Sequence, residues 1–283
     1  MAKLKVLIII MTCGEPQNER CINSAKQQCG FDIDTYLIQN KKNIEAHKEL
    51  YETINSEKGY DYFVKLDGDM EFSSENSLKL ILSNMKDGID HLTIPVFDYM
   101  TMDDMLGLHV FSGRTMVILG DLDELFVDKV VYLFPGKKIK LTEGSKLVLH
   151  CKNPSKTQAS AFGIHRAMKF IQRNRFIPVM GATRYHYNTL RKVFDYWVRT
   201  NSEIHYTVLV AALNVIRKTE FVTMMSKTNC GTDGLSHYSE DDVRNFFSRN
   251  SFVAAIHTFG ILRFNLSLIT YIYSKIFRLL FER

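Results

Sequence analysis

The feature that most constrains this chain is the alternation of short, β-branched runs with helical segments over its first third. Lys5-Val6-Leu7-Ile8-Ile9-Ile10-Met11 reads as a strand buried on both faces. The loop Thr12-Cys13-Gly14-Glu15-Pro16 follows, and then a helical segment over 18–28 that closes near Gly30. Residues 31–38 alternate apolar and polar as a second strand ending at Gln39-Asn40. A helix over 44–56, with Ala46, Leu50 and Ile54 on one face, stops at Gly59. A third strand comes next. Parallel neighbours need crossover helices, so this order predicts an α/β fold with a mostly parallel sheet and helices on both faces.

The third strand lies in Tyr60-Asp61-Tyr62-Phe63-Val64-Lys65-Leu66-Asp67-Gly68-Asp69-Met70-Glu71-Phe72 and stops at two aspartates separated by one glycine. Adjacent carboxylates at the end of a buried strand repel each other and lose hydration. They are tolerable mainly where a hard cation or a hydrogen-bonding ligand shares their field. Oxygen ligands of this kind suit magnesium or manganese, bound through one or two carboxylates and a substrate's phosphates. The alternative is a solvated Asp-Gly turn between strands.

Composition narrows the functional classes. A chain of 283 residues, 46% hydrophobic, can bury a substantial core. Its net charge of +5 falls short of a nucleic-acid-binding signature but is compatible with phosphate-bearing substrates or an anionic membrane surface. The five cysteines, Cys13, Cys21, Cys29, Cys151 and Cys230, lack CxxC spacing, which argues against a disulfide framework or structural zinc. The apolar run at the N-terminus is short and has no small-residue cleavage site after it, and no stretch reaches the length of a membrane span. The expectation is a protein of a reducing compartment, soluble or peripheral.

Further along, Ser74 is placed to cap a short helix with Leu78, Ile81, Leu82 and Met85 inward. Residues 91–97 and 108–117 read as strands separated by an acidic, methionine-rich loop over 98–106. Residues 130–134 and 138–141, joined by Pro135-Gly136, read as a hairpin, and 147–150 as another strand. Beyond Pro154 the chain turns helical, over 157–173 and again over 190–217 with Val193, Trp197 and Ile204 on one side. In the first of these helices His165, Arg166, Lys169 and Arg173 form a basic face, solvated or bordering a cleft where it could hold a diphosphate. In 261–283 the polar positions Arg263, Ser267, Thr270, Ser274, Arg278 and Glu282 recur every three or four residues among large apolar ones. That spacing makes an amphipathic helix, which would either lie on anionic lipid, with Arg263, Lys275 and Arg278 flanking, or pack against the core or a second copy.

Taken in order, the first loop, the segment Asn18-Glu19-Arg20-Cys21-Ile22-Asn23-Ser24 and the later Leu66-Asp67-Gly68-Asp69 resemble the nucleotide-sugar-binding half of GT-A-fold glycosyltransferases, especially bacterial family 2. Those proteins start with a hydrophobic strand, a Pro-Thr-Tyr-Asn type loop and an Arg-Cys-Leu-x-Ser helix, with an Asp-x-Asp motif downstream. The resemblance covers residues 4–150. It implies a GT-A, Rossmann-like core over 1–155, a helical region over 156–260 that completes the acceptor side, and the amphipathic helix of 261–283. Two departures, Gln39-Asn40 in place of consecutive aspartates and Cys13-Gly14-Glu15 in the first loop, bear on which base is bound.

On that resemblance Thr12, Cys13, Glu15, Gln39, Asp67 and Asp69 bind the donor, with Asp67 towards the ribose and Asp69 ligating Mn2+ or Mg2+. His150 completes the metal site, with His186 as its competitor. Glu71 is either an orienting group or a surface carboxylate. The segment Gly120-Asp121-Leu122-Asp123-Glu124-Leu125-Phe126-Val127-Asp128 is similar to the family's Gly-x-Phe-Asp-Glu region and puts Asp128 where an inverting enzyme's base stands; Asp103 and Asp104 are its rivals. The expected activity is metal-dependent transfer of a sugar from a nucleotide donor, a UDP-sugar, to a saccharide hydroxyl. The acceptor is expected to be lipid-linked, in bacterial surface-polysaccharide synthesis on the cytoplasmic face of the membrane. The alternatives are a sugar-nucleotide nucleotidyltransferase, disfavoured by the glycine-poor first loop, and a catalytically degenerate glycan-binding module.

Overall fold

The computed structural model describes residues 3–86, 88–118, 131–132, 137–141, 146–217 and 236–281. The chain divides into two compact units at Asn153 and Pro154. The first contains β1 (Lys5–Thr12), α1 (Asn18–Lys26), β2 (Asp32–Gln39), α2 (Asn43–Ser56), β3 (Tyr62–Asp67), β4 (Met70–Phe72) and α3 (Ser77–Leu82). It continues with β5 (Ile89–Asp98), β6 (Asp103–Ser112), β7 (Val117–Ile118), β8 (Val131–Tyr132), β9 (Lys137–Lys140) and β10 (Val148–His150).

Eight of these strands form one sheet in the order β2-β1-β3-β6-β5-β10-β4, with β9 beside β5. The pairs β1–β2, β1–β3, β5–β9 and β5–β10 are parallel, whereas β3–β6, β5–β6 and β4–β10 are antiparallel. Only β4 and β6 therefore run against the rest, and the sheet is mostly parallel, as the alternation predicts. Successive residues of β1 point to opposite faces. Val6, Ile8 and Ile10 pack with Cys21, Ala25, Leu78 and Ile81 on one side. Leu7, Ile9 and Met11 pack with Ala46, Leu50 and Ile54 on the other. Helices thus cover both faces.

Several boundaries differ from the sequence expectation. The loop expected over 98–106 is mostly strand, because β5 runs through Asp98 and β6 begins at Asp103 with Asp98 opposite Asp103. Within that stretch only residues 99–102 turn the chain, and Met102 takes a positive φ of 53°. The expected strand over 108–117 ends at Ser112, and Val117–Ile118 pairs separately with Val131–Tyr132. The expected hairpin is absent among the described residues, since β8 pairs with β7 and β9 pairs with β5. Ser74 does not cap α3: Asn76 is its N-cap, and Ser77 Oγ instead accepts the Ser74 N–H at 3.0 Å.

The second unit is helical, with α4 (Lys156–Ile171), α5 (Met180–Thr200), α6 (Glu203–Arg217), α7 (Glu240–Phe247), α8 (Ser251–Phe259) and α9 (Ile261–Phe281). A capping box of Ser155 and Gln158 starts α4. The single helix expected over 190–217 is broken because Asn201 adopts a left-handed φ of 52° and ends α5. At Gly163 a Cβ would stand 2.1 Å from the Val208 carbonyl oxygen, so glycine is what lets α4 approach α6. Trp197, Tyr187, Phe170 and Phe247 are fully buried and centre this unit's core. No helix among the described residues is long and apolar enough to cross a membrane.

Candidate functional site

The parallel strands β1, β2 and β3 end together, and their register sets Thr12 beside Gln39 and Met11 beside Asp67. Thr12 Oγ1 donates to Glu15 Oε2 at 2.7 Å, the Cys13 N–H donates to the same oxygen at 2.8 Å, and Gly14 N–H donates to Thr12 Oγ1 at 3.1 Å. The first loop is therefore folded on its own carboxylate. Gly68 N–H donates to Met11 O at 2.8 Å, and a Cβ at Gly68 would meet Thr12 Oγ1, Thr12 Cβ and Glu15 Oε2, each at 2.8 Å. The glycine of the aspartate pair is thus demanded by contact with the first loop. Thr12, Cys13, Glu15, Gln39 and Asp67, all expected at the donor site, share this edge of the sheet.

Asp67 is partly exposed and forms an ion pair with Lys65 Nζ, 3.3 Å from Oδ1. Two residues apart on a strand, the two side chains share a face. Lys65 is buried, and sequence reasoning had not singled it out.

Asp69 leads into β4, whose antiparallel pairing with β10 sets His150 opposite Met70; the Cys151 N–H donates to Asp69 O at 2.7 Å. The Asp69 carboxylate thereby comes to His150, with Oδ2 3.5 Å from Nε2. On its other side His150 Nδ1 lies 2.6 Å from Asp98 Oδ1. Asp98 is fully buried at the end of β5, and its second oxygen accepts the Thr101 N–H at 2.8 Å. Burial alone would lower the His150 pKa. The charges of Asp69 and Asp98 and their hydrogen bonds outweigh it and raise the pKa to about 10, so the metal-free imidazole is a cation held between two carboxylates.

The site is rich in negative field. Burial, followed by Asp69, Asp67, Glu15 and Glu71, pushes the Cys21 thiol far up, while Cys21 Sγ donates to Asp67 O at 3.5 Å. Glu71, expected as either an orienting group or a surface carboxylate, is largely buried between Arg20 at 3.6 Å and Lys152 at 3.4 Å. Arg20 and Gln17 also donate to Lys152 O, each at 3.1 Å, which ties α1 to the turn after β10.

The donor set fits a divalent cation bound in part by its substrate. Asp69 Oδ2 and His150 Nε2 converge, and Asp98 stands behind His150 as the carboxylate that fixes the ring. No group of three or more His, Cys, Asp or Glu side chains forms a complete cage among the described residues, so further ligands would come from phosphate and water.

Other expected residues lie elsewhere. His186 belongs to the second unit, where burial and then Arg166 and Lys169 lower its pKa to about 2; those cationic neighbours disfavour a metal there. Lys169, expected on a solvated or cleft-lining face, is buried. Asp103 lies across the β5–β6 ladder from Asp98, and its Oδ1 accepts the Asp104 N–H at 2.7 Å. Asp128, with the rest of 120–128, lies outside the described residues.

No protein-family profile matches the sequence, and no characterised protein matches it either. Solved structures with some likeness include two described as transferases. A mannosyltransferase from Pyrobaculum calidifontis in complex with GDP-Man and Mn2+ is 10% identical over 81% of this chain and 86% of its own, at a TM-score of 0.39. A glycosyltransferase involved in glycosylation of the major capsid of PBCV-1 is 13% identical over 53% of this chain and 94% of its own, at 0.34. S. aureus TarS 1-349 is 10% identical over 92% of this chain and 90% of its own, also at 0.34. Likeness below a TM-score of 0.5 fixes neither family nor activity.

Proposed function

We propose that the chain is a metal-dependent GT-A glycosyltransferase that moves a sugar from a nucleotide-diphosphate donor, a UDP-sugar, to a saccharide hydroxyl. The observation that carries this reading is the line Asp69–His150–Asp98 beside Asp67 and the Thr12–Glu15 loop, at one edge of a mostly parallel sheet. Open α/β sheets bind ligands outside the carboxyl ends of their strands, where these residues stand. Asp69 and His150 would hold the cation, Asp98 would keep the His150 ring in place, and Asp67, steadied by Lys65, would face the ribose. Thr12, Cys13, Glu15 and Gln39 would line the base and ribose side, the amide of Gln39 both donating and accepting. A bound Mn2+ or Mg2+ supplies Lewis-acid neutralisation of the charge that develops on the leaving diphosphate. On this reading transfer is inverting, with Asp128 taking the acceptor proton and Asp103 or Asp104 as rivals. The acceptor is a lipid-linked saccharide of a bacterial surface polysaccharide, met on the cytoplasmic face of the membrane.

A thermal-shift panel of nucleotide sugars with and without Mn2+ tests the donor site, because a ligand that binds only the folded state stabilises it by about 2.7 kcal/mol at one hundred times its Kd. The expected result is a rise in Tm that needs both a UDP-sugar and the metal, and that disappears in Asp69→Asn. A panel with no metal-dependent shift, or an Asp69→Asn variant that keeps it, would overturn the reading; the first result would favour a degenerate glycan-binding module.

A further inference from the structure

The outer face of the second unit is built the wrong way round for water. Along α9 the inward positions include Phe264 and the fully buried Ser267. The outward ones carry Ile261 at 70%, Leu262 at 71%, Ile269 at 63% and Tyr273 at 72% exposure, together with Ile272, Ile276 and Phe277. Arg263 extends this surface beyond the helix. Its Nε donates to Phe176 O at 3.1 Å and an Nη donates to Arg175 O at 2.8 Å, which fastens the turn between α4 and α5 to the first turns of α9. That turn exposes Phe176 at 73%, with Ile177 and Val179 also open, and α8 adds Phe252, Val253 and Ile256.

Three observations select what would cover such a surface. First, charge: residues 251–277 and 172–185 contain no aspartate or glutamate, while Arg175 lies in the exposed turn, Arg184 lies over the Phe252 ring, and Arg263 and Lys275 stand on α9. A basic rim around an apolar face is complementary to anionic headgroups above acyl chains. Second, four aliphatic hydroxyls of α8 and α9 need no water. Thr258, Ser267 and Thr270 donate to carbonyl oxygens four residues back in their own helices, and Ser274 to one three residues back. Polar groups satisfied in this way tolerate a low-dielectric surrounding. Third, no helix among the described residues, α9 included, is long and apolar enough to cross a bilayer, so an α9 bound to lipid would lie in the interface.

We infer that α9, α8 and the 175–179 turn together form a docking surface for an anionic lipid bilayer. The turn, with Phe176 and Ile177 as its apolar wedge, is the part that the amphipathic pattern of 261–283 does not contain. The surface is independent of the donor site, so either can fail without the other.

The test is co-sedimentation of the full chain with phosphatidylglycerol-containing vesicles and with pure phosphatidylcholine vesicles. Binding to the anionic vesicles alone is expected. It should weaken about ten-fold or more in Phe176→Ser/Ile177→Ser, and again in Tyr273→Ser/Ile276→Ser, while Leu80→Ser, exposed on α3, binds as wild type. All four residues of the test pairs are exposed, and unchanged circular dichroism and urea unfolding would show that the variants are folded. Equal affinity for neutral vesicles, absence of binding, or a Phe176→Ser/Ile177→Ser variant that binds like wild type overturns the inference. So does a vesicle-free dimer that the same substitutions dissolve, since a second copy would then be the occupant.

Discussion

Asp98 holds His150 Nδ1 with one carboxylate oxygen and the Thr101 N–H with the other, and so decides how His150 is presented. Asp98→Asn keeps the shape and removes the charge that fixes the ring. Mn2+ affinity, read by electron paramagnetic resonance of the free ion, is expected to fall about 10- to 100-fold. Gly68 makes a different kind of demand. In Gly68→Ala the added methyl meets Thr12 and Glu15, so a loss of about 1–3 kcal/mol in urea denaturation is expected, together with weaker donor binding. Asp67 and Asp69 were legible in the sequence because a carboxylate pair interrupts an aromatic and β-branched run. Lys65 sits in the same run and Asp98 ends another apolar run, Ile94-Pro95-Val96-Phe97. The Lys65–Asp67 pair follows from the two-residue period of a strand, whereas Asp98 has no charged neighbour beside it in the sequence and reads as an ordinary strand end until the sheet brings His150 to it.

At the scale of elements, β5 holds a buried aromatic stack that should make the sheet acid-sensitive. His91 stacks on Phe111 with ring centroids 4.5 Å apart, and its Nε2 lies 2.9 Å from His109 Nδ1. Burial, then His109, Lys138 and Lys140, lower its pKa from 6.5 to about 3. The unfolded chain therefore binds the proton more readily than the folded one. His91's contribution to stability is complete above about pH 6.5 and is lost as the pH falls towards 3. Unfolding free energies from urea titrations across that range should decline by at most about 1.4 kcal/mol per pH unit from this residue, and His91→Asn should flatten the slope. A slope identical in the two proteins would remove His91 as the cause. Element type was readable wherever strand and helix alternate, since each run has its own period and its own stop. It was misread at 98–106, where methionines and acids imitate a loop although β6 pairs there, and at 190–217, where one left-handed asparagine ends a helix that the hydrophobic pattern continues straight through.

For the whole molecule, the apolar faces of the second unit's helices were visible as patterns, but a pattern does not name the partner helix. Gly163 against Val208 is a contact between distant segments that only packing reveals. The same limit applies to the exposed face of α9, whose composition was legible and whose continuation onto Phe176 was not. Because the rim is basic and the centre apolar, vesicle binding should respond to salt in two parts. Raising salt from about 0.1 M to 1 M shortens the screening length from about 10 Å to 3 Å and should remove the preference for anionic lipid, while a residual apolar attachment survives. Sedimentation at the two salt concentrations checks this.

The pairing of β4 with β10 has a consequence for selectivity. Asp69 O receives the Cys151 N–H, and Met70 faces His150 across the ladder, so main-chain hydrogen bonds anchor the turn residue Asp69 and the β10 residue His150 side by side. The gap between a strand-borne imidazole and a carboxylate on the turn that enters the neighbouring strand is limited by interstrand spacing, a quantity that varies little among proteins. If Asp69 and His150 hold a cation as proposed, discrimination between a smaller and a larger ion would be inherited from the pitch of the sheet, and Asp69→Glu should change which ion is preferred before it changes whether one binds.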